Sequence, residues 1–270
     1  MSPLLETTFS YVYLFFLGAS LGSFYKTLLE RILYFFYSQH RKHFSKKERY
    51  YRLFFQPSFC YHCHQRIKRI YLLPVIGYWL SRGRCSHCKT PISKSYLVWE
   101  WGGGFLLMFF YKFFGVASFL LLFLVFQFLV IAQIDYQKFL IDFENLIILW
   151  VLSIVYLFLF DAWDSWEFWR FLFLKILLFV GTFLILFLIT RGKKLGFGDV
   201  LLMIPISMIF DISEIIVIMF GASFLSILFI LFYKKNQRSF APLGSFLGYV
   251  SVMMLILKPL ISFEELLAQI

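Results

Sequence analysis

Two sets of residues in this chain have the types and spacing to do chemistry. The first is its four cysteines, set as Cys60-Tyr-His-Cys63 and Cys85-Ser-His-Cys88, roughly twenty residues apart. Two such pairs can each form a knuckle, and four thiolates close a tetrahedron around zinc. Two disulfides are the competing chemistry, and compartment separates the two readings. The second set is Asp135 and Asp199, each at the end of a long apolar run. A carboxylate at the edge of a membrane span is costly and tends to mark a site. Two of them brought close cannot both ionise, so one acts as base and the other as acid, which can drive water onto an amide. Gly196 and Gly198 beside Asp199 would let the backbone bend for that approach. The plainer reading makes both aspartates interfacial charges, and periodicity does not choose between the two.

The elements that must position these groups are membrane helices. The 270 residues are 61% hydrophobic and include 38 phenylalanines, and the mean hydropathy is +0.78. Phe119 to Val130 and Phe171 to Ile189 run without a charge apart from Lys175, which identifies span candidates. We read about eight. The first runs from Phe9 to Tyr25 and carries a small-residue face from Gly18 to Ser23. Leu97 to Phe114, Ala117 to Ile134, Asn145 to Phe160 and Phe171 to Ile189 follow. A short sixth span begins at Val200, with Pro205 as a kink. A seventh reaches Phe232, and an eighth runs from Phe240 to Leu257. No Lys or Arg precedes Lys26, so the N-terminus is not read as a cleavable signal.

Charge sets the expected sidedness. Thirteen Lys and Arg residues between Arg41 and Lys94 stand against one acid, Glu48, so this loop is placed in the cytoplasm. Thiols stay reduced there, which favours zinc over disulfides. Arg191, Lys193, Lys234, Lys235 and Arg238 fall on the same side. Asp161, Asp164 and Glu167, with Trp163 and Trp166, fall outside, as do both termini, the last carrying Glu264 and Glu265. The net charge of +11 is explained by these loops, so nucleic acid is not an expected partner; membrane lipid is. The expected organisation is an all-α polytopic membrane protein in three parts. Residues 1–37 form the first transmembrane helix and its cytoplasmic extension, 38–96 the zinc-bearing loop, and 97–270 a seven-helix core. Glu100 is either a helix-packing charge or a contributor to a site.

Taken in order, the motifs resemble the type IV prepilin peptidase family of membrane aspartyl peptidases. Gly22-Ser23-Phe24 with Arg31 is similar to the family's first-helix motif. Cys60-x-x-Cys63, Arg82-Gly83-Arg84-Cys85-x-x-Cys88, Pro91-Ile92-Ser93 and Glu100 with Gly104 follow its cytoplasmic loop. Ile134-Asp135 and Gly196-Phe197-Gly198-Asp199 resemble its two aspartate motifs, and Phe240 to Leu247 its C-terminal segment. The resemblance implies that Asp135 and Asp199 are a catalytic pair. It implies removal of basic leaders from prepilin or pseudopilin precursors at the cytoplasmic face of a bacterial inner membrane. It also implies N-methylation of the product with S-adenosylmethionine. The chain departs from the pattern at several positions. Ile141-Asp142-Phe143 stands where the family has Ile-Pro-Asp, Lys26 replaces an Asn, Leu201 a Lys, and Tyr61 a Pro inside the first knuckle. Both aspartates remain, so the departures bear on substrate choice and methylation.

Two other classes compete with the enzyme. A zinc-stabilised scaffold for a pilus or secretion assembly would need the cysteines and not the aspartates. A transporter could use paired acids as a proton relay, but no inverted repeat is evident. Four thiolates leave no open coordination position, so zinc is expected to be structural.

Overall fold

The computed structural model describes residues 3–160, 163–193, 195–233 and 241–268, without the side chains of 3–9, 233 and 261–268. Asp161, Lys234, Lys235, Arg238 and Phe240, and the side chains of Glu264 and Glu265, lie outside the described residues. The regular elements are helical throughout. Among the described residues the β pairing consists of two isolated bridges, Phe59 with Arg66 and Arg84 with Pro91. The chain forms two compact units, Met1–Leu122 and Phe123–Ile270.

In the first unit, α1 (Pro3–Tyr37) is a single helix of 35 residues. At 1.5 Å per residue it is about 52 Å long, well beyond a hydrocarbon core of about 30 Å. Its last turns therefore project past the apolar stretch, where Lys26 pairs with Glu30 at 3.0 Å. The helix α2 (Lys46–Phe55) starts at a capping box: Ser45 Oγ accepts from the Glu48 N–H, and Glu48 accepts from the Ser45 N–H. This holds the Glu48 carboxyl below its usual range through the Ser45 backbone and hydroxyl bonds. Arg31 of α1 donates to Leu53 O at 2.8 Å and to Gln56 O at 2.6 Å, satisfying carbonyls at the end of α2. A short α3 (Ile76–Leu80) follows, then α4 (Ser95–Phe114).

The small-residue face of α1 meets α4. A Cβ on Gly18 would lie 2.3 Å from Gly103 O, and one on Gly22 would lie 2.1 Å from Trp99 O. Glycine spaced four apart is what lets the two backbones come this close, since lipid supplies no hydrophobic drive to press helices together.

The second unit contains most of α5 (Ser118–Lys138), then α6 (Phe143–Phe160), α7 (Trp166–Thr190), α8 (Phe197–Ile209), α9 (Ile212–Tyr233) and α10 (Leu243–Ala268). Eight helices thus lie where eight spans were expected. Six stretches of the described chain are long and apolar enough to cross a membrane. One of these, Ser95–Lys138, is 44 residues long and holds both α4 and α5, separated at Gly115, whose φ is +54°.

The remaining helix, α8, has 13 residues, about 20 Å, and is too short to cross alone. Its sequence explains how so short a helix survives in an apolar layer. Pro205 has no N–H for Leu201 O, and Trp150 Nε1 donates to that oxygen instead at 3.3 Å. At its C-terminal end, Lys175 Nζ donates to Phe210 O at 3.0 Å, and Lys258 Nζ donates to Ile209 O at 3.3 Å. Two cations thus cap the negative end of the helix dipole. Lys258 also pairs with Glu214 at 3.3 Å.

Candidate active site and metal centre

In the second unit, the last turn of α5 carries Asp135 and the first turn of α8 carries Asp199; both are buried, at 5% and 9% exposure. The N-terminus of α10 lies between them. Ser245 donates twice to Asp135 Oδ2, from its backbone N–H at 2.7 Å and from Oγ at 2.9 Å. Asp199 Oδ2 accepts from the Gly196 N–H at 3.1 Å, which caps its own helix, and the positive end of that helix favours a carboxylate there.

Gly244 has both acids against it. A Cβ at this position would lie 2.9 Å from Asp199 Oδ1 and 3.1 Å from Asp135 Oδ2. The two oxygens are therefore no farther apart than those distances laid end to end, close enough to act on one water or one peptide bond. The wall beside them is Ile141. Its Cδ1 would be 2.7 Å from the Gly244 Cβ, and its Cβ 2.8 Å from a Cβ on Gly198. Gly198 is thus required for close approach of the α5–α6 turn to α8. Gly248, one turn along α10, packs on α5, where its Cβ would meet Ala132 Cβ at 2.9 Å.

Gly244→Ala is expected to leave the protein in the membrane but slow any reaction at this site by about 100-fold, because a methyl group intrudes between the carboxylates and displaces one of them. Activity per unit of folded protein, measured beside the unmodified chain, checks this.

The structure brings Asp135, Asp199, Gly196 and Gly198 together. It adds Ser245, Gly244 and Ile141, to which no role was given. The segment from Phe240 to Leu247 was singled out as a motif, and that was the available signal. Asp142 accepts from Asn145 Nδ2 at 2.5 Å, and Gln127 Nε2 donates to Asn145 Oδ1 at 3.1 Å and to Asn145 O at 2.7 Å. That places it in the network at the start of α6.

Glu100 belongs to the first unit. Buried at 7% exposure, it accepts from Ser23 Oγ of α1 and from the backbone N–H of Val75, each at 2.7 Å. It joins α1, α4 and the polar loop.

The four cysteines come together in that loop as two copies of one turn. His64 N–H donates to Cys60 O at 2.8 Å, and Lys89 N–H to Cys85 O at 3.1 Å. Cys60 N–H donates to Gln65 O, and Cys85 N–H to Thr90 O. His64 and Lys89, each next after the second cysteine, both take left-handed φ, 57° and 59°. All four sulfurs lie within 4.8 Å of one another, with Cys60 to Cys88 at 3.7 Å and Cys63 to Cys85 at 3.9 Å. These distances are far beyond a disulfide bond, and the thiols are free. A zinc ion with bonds of about 2.3 Å to four tetrahedral sulfurs would set them about 3.8 Å apart, so the cluster could hold that metal. The Thr90 hydroxyl and backbone draw the Cys88 thiol down to about 5, while Cys63 in the same cluster, despite the lowering Gln65 backbone bond, is pushed up to about 11 by burial and its neighbouring thiols; the first thiolate therefore forms at Cys88.

Two family models match the chain: bacterial Peptidase A24 N-terminal domain over residues 16–114, and Type IV leader peptidase family over residues 120–231. No curated protein and no solved structure matches it.

Proposed function

The chain belongs to the type IV leader peptidase family, and we propose that it is a multi-pass aspartyl endopeptidase with Asp135 and Asp199 as its catalytic pair. The observation that carries this is the convergence of two buried carboxylates on Gly244. In the proposed reaction, one carboxylate takes a proton from water as its oxygen attacks the scissile carbonyl. The other, protonated, hydrogen-bonds the carbonyl oxygen as it gains charge, and a proton passes to the leaving amine as the C–N bond breaks. Ser245 keeps Asp135 oriented through two donors, and the α8 N-terminus keeps Asp199 oriented through Gly196.

The substrates on this reading are prepilin or pseudopilin precursors. Such a precursor would lodge its apolar segment among the helices and leave its basic leader outside the bilayer. The excess of Lys and Arg in the loop before α4 supports a cytoplasmic cut at the inner membrane. The 38–96 segment is then a zinc module, the metal being structural because four thiolates fill its coordination. Methylation of the new N-terminus with S-adenosylmethionine is a second activity on this reading. A cavity of about 330 Å³ in the first unit, lined by Glu30 and Glu100 but also by Arg31, Arg66 and Arg84, is where such a donor would be held on this reading.

The test is to supply a pilin-like precursor to proteoliposomes holding the chain and to weigh both products. A shortened pilin and a free leader are expected, the pilin heavier by one methyl group when S-adenosylmethionine is present. An uncut precursor beside a folded, metal-loaded enzyme removes the peptidase reading; a cut but unmethylated product removes only the second activity.

A further inference from the structure

The loop between α1 and α4 contains a stretch too apolar for a segment bathed in water. From Ile70 to Leu80 the chain exposes Ile70, Leu73, Ile76, Trp79 and Leu80, with Trp79 at 69%. In α3, Ile76, Trp79 and Leu80 stand at i, i+3 and i+4, so they share one face of the helix, and all three are exposed. The rest of the stretch packs closely on itself: Gly77 N–H donates to Leu73 O at 2.7 Å, and a Cβ on Gly77 would meet Tyr71 O at 2.3 Å. It is a compact knob with an apolar outer surface.

Its height relative to the bilayer follows from Glu100. That carboxylate binds Ser23, which precedes the first basic residue of α1, Lys26, and it binds the Val75 N–H with its other oxygen. Seen from α4, Glu100 lies in the first two turns of the helix, between Trp99 and Trp101, where aromatic side chains mark the membrane interface. Both helices put Glu100 just inside the apolar layer, and Val75 is tied to it.

The backbone is bent to reach that level. Val75 has φ 65° and ψ −57°, and Ile76 N–H donates to Pro74 O at 2.7 Å. This is the γ-turn of positive φ, rare and strained, here on a β-branched residue. The Glu100 bond holds the turn down. Around the knob lie Lys68, Arg69 and Arg82, all exposed, at the positions where headgroup phosphates would meet them.

We propose that residues 70–80 are an interfacial wedge, seated in the headgroup–acyl boundary of the bilayer that α1 and α4 cross, with anionic lipid as the partner. An apolar helical face ringed by Lys and Arg is the pattern of interfacial binding. The wedge clamps the metal module to the membrane surface, because the chain leaves it through Arg82 and enters the second cysteine turn at Arg84. The inference rests on α1 and α4 crossing the bilayer and not on catalysis.

The test uses full-length, zinc-replete protein in nanodiscs of phosphatidylethanolamine and phosphatidylglycerol. The photoreactive amino acid benzoylphenylalanine is introduced at position 79, or at position 42 in the turn beyond α1, and adducts are identified by mass. Irradiation is expected to yield lipid adducts at 79 and at least tenfold fewer at 42. The yield at 79 is expected to fall several-fold when phosphatidylcholine replaces the anionic lipid. A protein adduct at 79, whether to a second copy or another chain, overturns the proposal, as does the absence of lipid adducts with the metal bound. A yield indifferent to headgroup charge overturns the anionic partner. Lipid adducts from a chain that cuts no precursor sustain this inference and count only against the peptidase.

Discussion

Asp135→Asn and Asp199→Asn are each expected to slow precursor cleavage by about 1,000-fold, the middle of the range that a positioned acid or base supplies. The substitutions are nearly isosteric. An Asn side-chain oxygen at 135 can still accept from Ser245, and a neutral amide is cheaper to bury than a carboxylate, so the amount of folded protein should hold. The double variant should be hardly worse than either single one, because the two groups act as a unit. The measurement is initial rate per folded molecule in membranes. Cleavage that persists in either variant takes that residue out of the site, and persistence in both leaves a metal-stabilised scaffold as the better account. The geometry argues for loss, since each acid has one oxygen beside Gly244 and separate donors holding it in place.

Stripping the metal is expected to unfold the loop between α1 and α4 while the second unit stays intact. Between Ser38 and Tyr96 the buried apolar side chains are Leu53 and Val75 alone among the described residues. Such a core cannot offset the chain entropy of nearly sixty residues, at about 1.5 kcal/mol each. Four thiolates on zinc contribute on the order of 10 kcal/mol in small modules, enough to decide whether the loop folds. Hydrogen exchange on chelated protein, or on Cys63→Ser, should show protection lost around Cys60 and Cys85 and kept in α5 and α8. Cleavage should then fall indirectly. A loop that stays protected without metal would show that Arg31, Glu100 and the turn hydrogen bonds suffice, and would remove the structural role of zinc.

Much of this protein is legible from local pattern. Apolar runs long enough to span a bilayer are a property of consecutive residues, and helices formed where each run lay. The Cys-x-x-Cys spacing is also local: each turn closes within six residues through its own backbone, so the two knuckles could be read before any fold was known. The small-residue face at Gly18 and Gly22 identified a helix contact, though not that Gly103 and Trp99 would supply it. The sixth span was read as short, and α8 has 13 residues; what hydropathy does not register is how the end of so short a helix is held. The capping of α8 by Lys175 and Lys258 comes from α7 and α10, and a buried lysine and a half-buried one, read one at a time, look only like interruptions.

By itself, then, the sequence determined the class of protein, the paired cysteine turns and the two aspartates worth testing, because periodicity, hydropathy and close cysteine spacing act over a few residues. Tertiary structure alone decided that Asp135 meets Ser245, 110 positions away, that Gly244 separates the two acids, and that Glu100 fastens Val75 at the level of Ser23. Those contacts depend on how closely packed helices slide and rotate against one another. Within a membrane that is settled by the fit of small side chains and by the few polar groups that must find partners, and no stretch of chain carries both sides of such a fit.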